Sequence, residues 1–407
     1  MIKLIKKNQY IYYLSSLSLI LSITAIVFFI AQGKRINFNS DSQTSQIEIQ
    51  GTGIINIKSY PDGGKILLDG EPKGSTNQSI GGLKEKNYKL DIVKEGFVTW
   101  SKEVPIFNGL VTPIDALLIS KTPKIEPLTN VGITTPSISN TGTKITFGVK
   151  DSDKPGIYII TLSNTTPLNI FKTNAELLLL DTSLVKYSNT KKITWAPDDS
   201  EILVELNNNQ VFIVPIGITA TTPLAIRTSE ELQAIKDEWN KEQTDKLTKF
   251  VERRAKTINI SEEIQALMID PANSRNWSPD GDKFMYKIDD TENNQIKYRV
   301  YNLEQPLIIG GERDYVTFKL DKDKPQPSNI TWYIDSQHII VLYGNFEGDN
   351  PSGTIYLIHM DGSNFTEIYS GQMTSPITYP IPSGDKILVT AKFRQDNPDE
   401  LYAISLR

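Results

Sequence analysis

The chain has 407 residues, a net charge of −5 at pH 7, an isoelectric point near 5.4 and no cysteine. This length predicts more than one globular unit. The acidic balance argues against sequence-independent binding to nucleic acid, which requires a basic surface. The absence of cysteine excludes disulfide bonds, a thiolate nucleophile and cysteine-ligated zinc.

An apolar run without charges extends from Tyr10 to Ala31. As a helix it is long enough to cross a bilayer core, so residues 1–33 are interpreted as a cytoplasmic tail and a transmembrane helix. Lysines precede the run at positions 3, 6 and 7, and the positive-inside rule predicts a cytoplasmic N-terminus with the remaining chain outside the cell membrane. A cleaved signal peptide is the alternative, because the small residues Ala31 and Gly33 suit a cleavage site.

A polar segment, residues 34–53, follows and contains few large apolar residues. It is interpreted as a linker, because such a composition cannot bury enough surface to fold alone. From 54 to 121 short apolar runs alternate with turns rich in Pro, Asp and Gly, which predicts a small β-domain and its connector. The Pro-Asp-Gly-Gly sequence at 61–64 is predicted to form a hairpin turn.

A specific pattern lies within residues 54–106. It reads S-Y-P-D-G-G-K-I-L-L-D-G, then G-S-T, then G-G-L-K-E-K-N-Y-K-L and K-E-G-F-V-T-W. The pattern resembles the PEGA domain, a family named for a Pro-Glu-Gly-Ala motif that reads Pro61-Asp62-Gly63-Gly64 here. The resemblance implies a small β-sandwich of cell-envelope and surface-layer proteins, and it implies no catalytic residue.

A different pattern recurs in residues 122–407: an apolar strand, a turn rich in Pro, Asp, Gly or Ser, and a second apolar strand. It starts at Ile138, Trp195, Trp277, Trp332 and Tyr379. Most starts are roughly 45–60 residues apart, as in four-stranded propeller blades. W-S-P-D-G at 277–281 and I-Y-L-I-H-M-D-G at 355–362 resemble the TolB-like, WD40-related propeller repeat. The chain is therefore predicted to be mainly β, with a β-propeller as its largest part.

The number of blades depends on how the ring closes. The last unit ends after its third strand, and residues 124–130 have the pattern of the missing outer strand. We expect this segment to close the ring, because closure removes exposed sheet edges. Five blades fit best, and six are possible if another unit lies between residues 217 and 275.

Residues 228–268 interrupt the repeat. Thr228 and Glu231 form a capping-box pattern, and apolar residues follow at helical spacing. An amphipathic helix is predicted over 229–256, and Ser261 is predicted to cap a shorter one. The mixed charges are unlike those of a basic membrane-surface helix. The long helix either lies against the propeller wall or protrudes as an arm that docks a partner or a second copy.

The sequence contains no G-x-S-x-G, H-E-x-x-H or G-x-x-x-x-G-K-[ST] motif. Its two histidines, His338 and His359, are interpreted as structural residues in strand-like runs of separate units, because neither has a partner at zinc-ligand spacing. No catalytic, cofactor-binding or metal-binding residue is assigned, and no cofactor is expected.

Acidic residues leave two alternatives open. Glycosidases need two carboxyl groups about 5–10 Å apart, which different blades could supply. The candidates are Asp198, Asp280, Asp289, Asp335 and Asp361, although Asp is also the ordinary turn residue of such repeats. Calcium could bind D-K-D-K at 321–324 or D-D-T-E-N-N at 289–294, but neither has the EF-hand spacing and solvated loops are favoured.

Together these patterns predict a single-pass membrane protein whose bulk is extracytoplasmic. The favoured function is non-enzymatic binding or scaffolding at the cell envelope, with the propeller presenting a surface to a protein or a glycan. The alternative is a carbohydrate-active or other hydrolytic propeller that uses carboxylates of its channel. Helix 229–256 could also mediate self-association.

Overall fold

The computed structural model describes residues 2–31, 35–38, 47–162, 175–217, 222–307, 311–393 and 399–407. The chain divides into two compact units after Leu118, and the second unit comprises Ile119–Leu307 and Glu312–Arg407. Strands outnumber helices throughout both units. The predicted mainly β class is therefore confirmed.

The N-terminal region contains helix α1 (Ile2–Ala31), strand β1 (Arg35–Phe38) and strand β2 (Ile47–Gln50). The two strands pair antiparallel, with Arg35 opposite Gln50. They lie where the sequence predicts a linker, and residues 34 and 39–46 of that linker are outside the described residues. Helix α1 covers the predicted membrane segment. In the part of the chain that the structure describes, no helix is both long and apolar enough to cross a membrane.

The first unit also contains a β-sandwich. Its strands are β3 (Gly53–Tyr60), β4 (Lys65–Leu68), β5 (Glu71–Ser75), β6 (Gln78–Leu83), β7 (Lys86–Val93), β8 (Trp100–Ile106) and β9 (Val111–Leu117). One sheet has the order β6-β3-β9, in which β3 and β9 are parallel, and the other has the order β5-β4-β7-β8. Alternate residues of both sheets, such as Ile55, Ile57, Leu90 and Ile92, are fully buried in one core.

The Pro-Asp-Gly-Gly turn of this sandwich is not the hairpin that the sequence predicts. Strand β3 pairs with β6 and β9, whereas β4 pairs with β5 and β7, so the turn connects the two sheets. Gly63 has a φ of +75°, and a Cβ atom on Gly64 would lie 2.5 Å from Ile92 Cγ2. The first glycine therefore allows the left-handed backbone, and the second allows close packing on the core.

The second unit contains five antiparallel sheets among its described residues. It begins with β10 (Ile125–Pro127). Blade 1 contains β11 (Thr134–Ile138), β12 (Lys144–Val149), β13 (Gly156–Thr161) and β14 (Glu176–Leu180). Blade 2 contains β15 (Thr190–Trp195), β16 (Glu201–Leu206), β17 (Val211–Pro215) and β18 (Leu224–Ile226). Helices α2 (Ser229–Ala255) and α3 (Glu262–Ile269) and a short 3-10 helix (Pro271–Asn276) follow.

The remaining blades come after these helices. Blade 3 contains β19 (Lys283–Asp290), β20 (Gln295–Asn302) and β21 (Asp314–Asp321), and its first strand is reduced to one bridge between Trp277 and Phe284. Blade 4 contains β22 (Asn329–Trp332), β23 (His338–Asn345), β24 (Ser352–His359) and β25 (Thr366–Gln372). Blade 5 contains β26 (Thr378–Pro380), β27 (Lys386–Ala391) and β28 (Glu400–Ser405).

Strand β10 closes the ring, as the sequence predicts. It pairs antiparallel with β28, placing Ile125 opposite Ile404 and Pro127 opposite Tyr402. Blade 5 thus takes its outer strand from the beginning of the unit. No sixth sheet lies between residues 222 and 275 in the described chain, because that stretch is helical after β18. The structure therefore selects the five-bladed alternative.

Adjacent blades are joined around the ring. Blades 1 and 2 share a core that includes Ile157 and Ile202, and blades 3 and 4 share one that includes Val300 and Ile339. A further core joins blade 5 to blade 1. The side-chain amide of Asn329 in blade 4 donates to the carbonyl of Thr378 in blade 5 at 3.2 Å. Blades 2 and 3 are joined differently, through the inserted helices.

Helix α2 bridges blades 2 and 3. Its predicted capping box is present, since Glu231 N–H donates to Thr228 Oγ1 at 3.1 Å. Lys236 reaches Glu205 of blade 2 at 3.2 Å, and the ring of Phe250 meets that of Trp277 before blade 3 with centroids 5.0 Å apart. The helix therefore lies against the propeller rather than protruding as an arm. Self-association through it stays a prediction.

The turn that follows the first strand has the same geometry in all five blades. Its fourth residue donates its N–H to the carbonyl of the first at 2.9–3.2 Å, and the first donates to the carbonyl of the sixth at 2.9–3.0 Å. The fourth residue always has a positive φ, between 57° and 72°. It is Gly142, Asp199, Gly281, Ser336 or Gly384 in blades 1 to 5. Glycine is favoured there because it lacks the Cβ that destabilises this backbone region.

Candidate functional site

The aspartates of the repeated turns occupy one equivalent position. Asp198, Asp280 and Asp335 are the third turn residues of blades 2, 3 and 4. Each carboxylate accepts the backbone N–H two residues further on, with distances of 3.0 Å from Ser200, 2.9 Å from Asp282 and 2.9 Å from Gln337. This is the local bonding by which Asp stabilises turns. The three residues are therefore part of the blade frame.

The charge state of these carboxyl groups agrees with that role. The hydroxyl and the N–H of Ser200 lower the pKa of Asp198. Burial raises the pKa of Asp280, but hydrogen bonds from Ser278 and Asp282 and the charge of Lys283 outweigh it, so the net shift is downward. Burial likewise raises the pKa of Asp335, and the imidazole of His338 and nearby N–H groups outweigh it. All three favour the ionised form.

A glycosidase acid needs the opposite shift, because it must hold a proton near neutral pH. Burial raises the pKa of two other carboxyl groups, those of Glu201 and Asp399. These belong to different blades, 2 and 5, and Glu201 also accepts a hydrogen bond from Trp239 of α2, which lowers its pKa in part. The turn aspartates therefore offer hydrogen-bond acceptors rather than a general acid.

Asp199, next to Asp198, connects blades 1 and 2. Its buried carboxylate accepts the N–H of Asn140 at 2.7 Å and that of Thr141 at 3.0 Å, and both residues belong to the blade 1 turn. Sequence reasoning did not single out this residue. The sequence marks Asp199 as unusual, because it replaces the glycine that three of the five turns have at this position, but it does not identify the residues that Asp199 contacts.

We expect Asp199→Ala to lower the free energy of unfolding by about 2–3 kcal/mol, because it leaves two backbone donors without their charged acceptor. Urea unfolding of the full chain measures this change. Asp198→Ala is the matched control: its carboxylate is exposed and serves its own turn, so a loss below about 1 kcal/mol is expected. Equal losses in the two variants would contradict the inter-blade role of Asp199.

Blade 3 buries a charged group. Lys283 is 0% exposed, and its Nζ lies 2.7 Å from Glu304 Oε1 and 3.3 Å from Asp280 Oδ2. Both partners are only partly exposed, so the ammonium ion is compensated inside the blade. A buried lysine is stable as an ion only with such partners. This arrangement fixes the β19 strand against the end of β20 and leaves no free amine for chemistry.

The histidines lie much closer than the sequence predicts. His338 and His359 were assigned to separate units, but β23 and β24 are neighbouring strands of blade 4 and place the two residues opposite each other. Their rings meet edge to face with centroids 5.2 Å apart. Nδ1 of His338 lies 2.7 Å from Asp335, and Nδ1 of His359 lies 2.6 Å from Asp361. The spacing of 21 residues fits two strands of one hairpin, but only the register of those strands places the two rings opposite each other.

The remaining acidic candidates are held by local partners. The carboxylate of Asp361 also accepts the N–H and the hydroxyl of Ser363 in the turn after β24. Asp289 forms an ion pair with Lys322. Across the described residues, no three His, Asp or Glu side chains are placed to hold a metal ion.

The two acidic loops that could bind calcium, residues 289–294 and 321–324, also have local partners. Asp290 is paired with Lys297 at 2.6 Å, and this hydrogen bond, with another from Asn293, lowers its pKa to about 2. In the second loop, Asp321 accepts a hydrogen bond from Gln295 at 2.9 Å. The carboxylates of Asp290 and Asp321 are therefore engaged by lysine and amide groups.

A family comparison bears on the first unit. Residues 52–120 match the family model described as "PEGA domain". The match covers the β-sandwich from β3 to β9, so the predicted resemblance is confirmed and the chain contains a PEGA domain. No curated protein is similar enough to the chain to count as a match.

Solved structures provide a second comparison. The β-propeller domain of the Trilobed protease from Pyrococcus furiosus is 12% identical, with coverage of 67% of this chain and 68% of that chain and a TM-score of 0.22. TolB from Acinetobacter baumannii is 13% identical, with coverage of 78% and 60% and a TM-score of 0.24. A putative TolB from Agrobacterium tumefaciens is 12% identical, with coverage of 69% and 89% and a TM-score of 0.22. TolB proteins are thus among the similar structures, but likeness at this level assigns no activity, and the propeller assignment rests on the five sheets themselves.

Proposed function

We propose that this chain is a non-enzymatic binding or scaffold protein of the cell envelope. Its propeller presents a surface to a protein or a glycan, and its PEGA domain spaces or attaches that propeller. The observation that carries the proposal concerns the carboxylates of Asp198, Asp280 and Asp335. Each accepts a backbone hydrogen bond within its own turn and favours the ionised form. The PEGA match supports the envelope location. Fold likeness alone determines no function, so the binding surface itself must be tested.

Photo-cross-linking in native cells tests this binding role. A photoreactive residue is placed at exposed propeller positions, such as Asn208 and Phe365, and at exposed PEGA positions, such as Tyr60 and Leu110. We expect one protein or glycan adduct to recur at neighbouring positions of the propeller and to be missing at its other positions. Adducts spread evenly over all positions, or none at any of them, would refute the proposal.

We further propose that Tyr10–Ala31 anchors the chain in the cell membrane with a cytoplasmic N-terminus and the two units outside. The uncharged apolar run supports this proposal, as do its exposed side chains, including Leu14 at 74%. Replacing Leu17 and Leu21 by lysine should move the protein from the alkali-resistant membrane fraction to the soluble one, since charges at a bilayer centre are costly. The matched control, Leu224→Lys with Phe365→Lys at exposed propeller positions, should remain membrane-bound.

A further inference from the structure

The three-stranded sheet of the PEGA domain has one buried face and one outer face. Along β3 and β9 every second residue is buried in the sandwich core, and the residues between them point outwards. The outward residues used below are partly or fully exposed. We call them the Lys58 face, which consists of Ile54, Asn56, Lys58, Val111, Pro113 and Asp115.

The register of β3 and β9 arranges this face in three rungs. The two strands are parallel, and the side-by-side pairs are Ile54 with Val111, Asn56 with Pro113, and Lys58 with Asp115. Neighbouring strands lie about 4.8 Å apart, so the two members of a pair are adjacent on the surface. The first rung is apolar, and its side chains are 38% and 47% exposed. The third rung carries one charge of each sign.

The free edge of β9 is less suited to a partner than this face. The carbonyl of Leu110 accepts the N–H of Ile54, and the N–H of Leu118 donates to the carbonyl of Tyr60. Because backbone groups alternate in direction along a strand, Pro113 is among the residues whose backbone faces the free edge. Proline has no N–H to donate, and it blocks the addition of a further strand at a sheet edge.

We propose that the Lys58 face binds the same face of a second copy of this chain. Packed sheets align their strands within about 30°. A two-fold axis parallel to the strands, midway between β3 and β9, lays β3 of one copy over β9 of the other. Ile54 then opposes Val111 of the second copy, and Lys58 opposes its Asp115. A two-fold contact requires this reciprocity, because each residue pair occurs twice.

Charge complementarity favours a second copy over another protein as the occupant. The six residues of the Lys58 face carry one positive and one negative charge, so the face has no excess charge to attract a strongly acidic or basic partner. The two charges instead match their own two-fold image and give two ion pairs in each dimer. Because only two strands of each copy overlap, the contact is smaller than the standard interface of about 800 Å² per partner, and we expect a reversible dimer.

Charge reversal tests this contact in the full chain held in detergent. The variants Lys58→Glu and Asp115→Lys are purified separately, and sedimentation velocity follows the average mass over a range of protein concentrations. We expect the unaltered chain to dimerise reversibly. Each variant should raise the dissociation constant about tenfold or more, since it makes both ion pairs of the dimer repulsive. Circular dichroism checks that these exposed substitutions leave the fold unchanged.

A mixture of the two variants tests the register itself. In a mixed dimer the introduced glutamate faces the introduced lysine, and the native Lys58 of one chain faces the native Asp115 of the other. Both contacts are attractive again, so we expect a 1:1 mixture to recover the dimer that neither variant forms alone.

The matched control reverses charges on the other sheet. Lys89 and Glu103 are exposed neighbours on β7 and β8, so Lys89→Glu and Glu103→Lys should leave the association unchanged. A chain that stays monomeric at every concentration would overturn the proposal. A dimer that Lys58→Glu and Asp115→Lys do not weaken would also overturn it, because the contact would then lie elsewhere, as on α2. A mixture that associates no better than its components would exclude the two-fold register.

Discussion

Replacing Trp332 by alanine is expected to lower the free energy of unfolding by about 3–5 kcal/mol, the range for large aromatic residues removed from a core. Trp332 is buried in the core shared by blades 3 and 4. Its Nε1 donates to the carbonyl of Asn276, before blade 3, at 2.7 Å. The substitution therefore removes both a hydrogen bond and the apolar contact between two blades. Urea unfolding of the full chain, followed by circular dichroism, measures the loss.

Two variants separate these contributions. Trp332→Phe keeps an aromatic ring but removes the N–H donor, so a smaller loss of about 1–2 kcal/mol is expected. Trp277→Ala should also be milder than Trp332→Ala. Trp277 is only half-buried, and its Nε1 donates to Met268 at the end of α3 rather than to a neighbouring blade. Losses of the same size for Trp277→Ala and Trp332→Ala would contradict the inter-blade role of Trp332.

Glu304→Gln is expected to destabilise the protein by about 3 kcal/mol at neutral pH. The substitution replaces the nearer of the two carboxylates that compensate the buried ammonium ion of Lys283 with an uncharged amide. Glu304 Oε1 is the nearer acceptor of Lys283, at 2.7 Å compared with 3.3 Å for Asp280. Unfolding in urea measures the effect.

A second substitution tests whether this loss comes from the buried charge of Lys283. Lys283→Met removes the buried charge and fills much of the same volume, so it should be nearly neutral or stabilising. Combined with Glu304→Gln, it should recover most of the stability that the single glutamine variant loses. A double variant as unstable as the sum of both single variants would show that Lys283 and Glu304 do not interact.

The propeller and its ring closure could be predicted from short apolar runs, whereas the choice between five and six blades needed the structure. Each blade requires only local strands and turns, so patterns such as the one at 277–286 indicate the fold directly. The capping box of Thr228 and Glu231 is equally local, and it placed the start of α2 correctly. The turn at residues 61–64 was also recognisable in the sequence. The sequence did not show that this turn connects two different sheets. Which strands pair depends on residues far apart in the chain.

For the turn aspartates, too, the sequence indicates the local role but not the contacts with distant residues. Their repetition in the turns favoured a structural role, since a catalytic residue needs to occur only once. Sequence could not show that Asp199, rather than Asp198, joins two blades, because its partners Asn140 and Thr141 are almost 60 residues away. Nor could it show that His338 and His359 face each other, because that contact depends on the register of two strands.

The sequence by itself determined the mainly β class, the PEGA domain, the five repeats and the inserted helix. The mainly β class, the repeats and the inserted helix follow from local backbone preferences and from apolar spacing, whereas the PEGA domain was identified by its resemblance to the family motif. The tertiary structure alone decided that α2 joins blades 2 and 3, that Lys283 is buried between two carboxylates, and that Asp199 joins the turns of blades 1 and 2. Burial and charge pairing depend on the residues that the fold brings together, and spacing along the chain does not specify them.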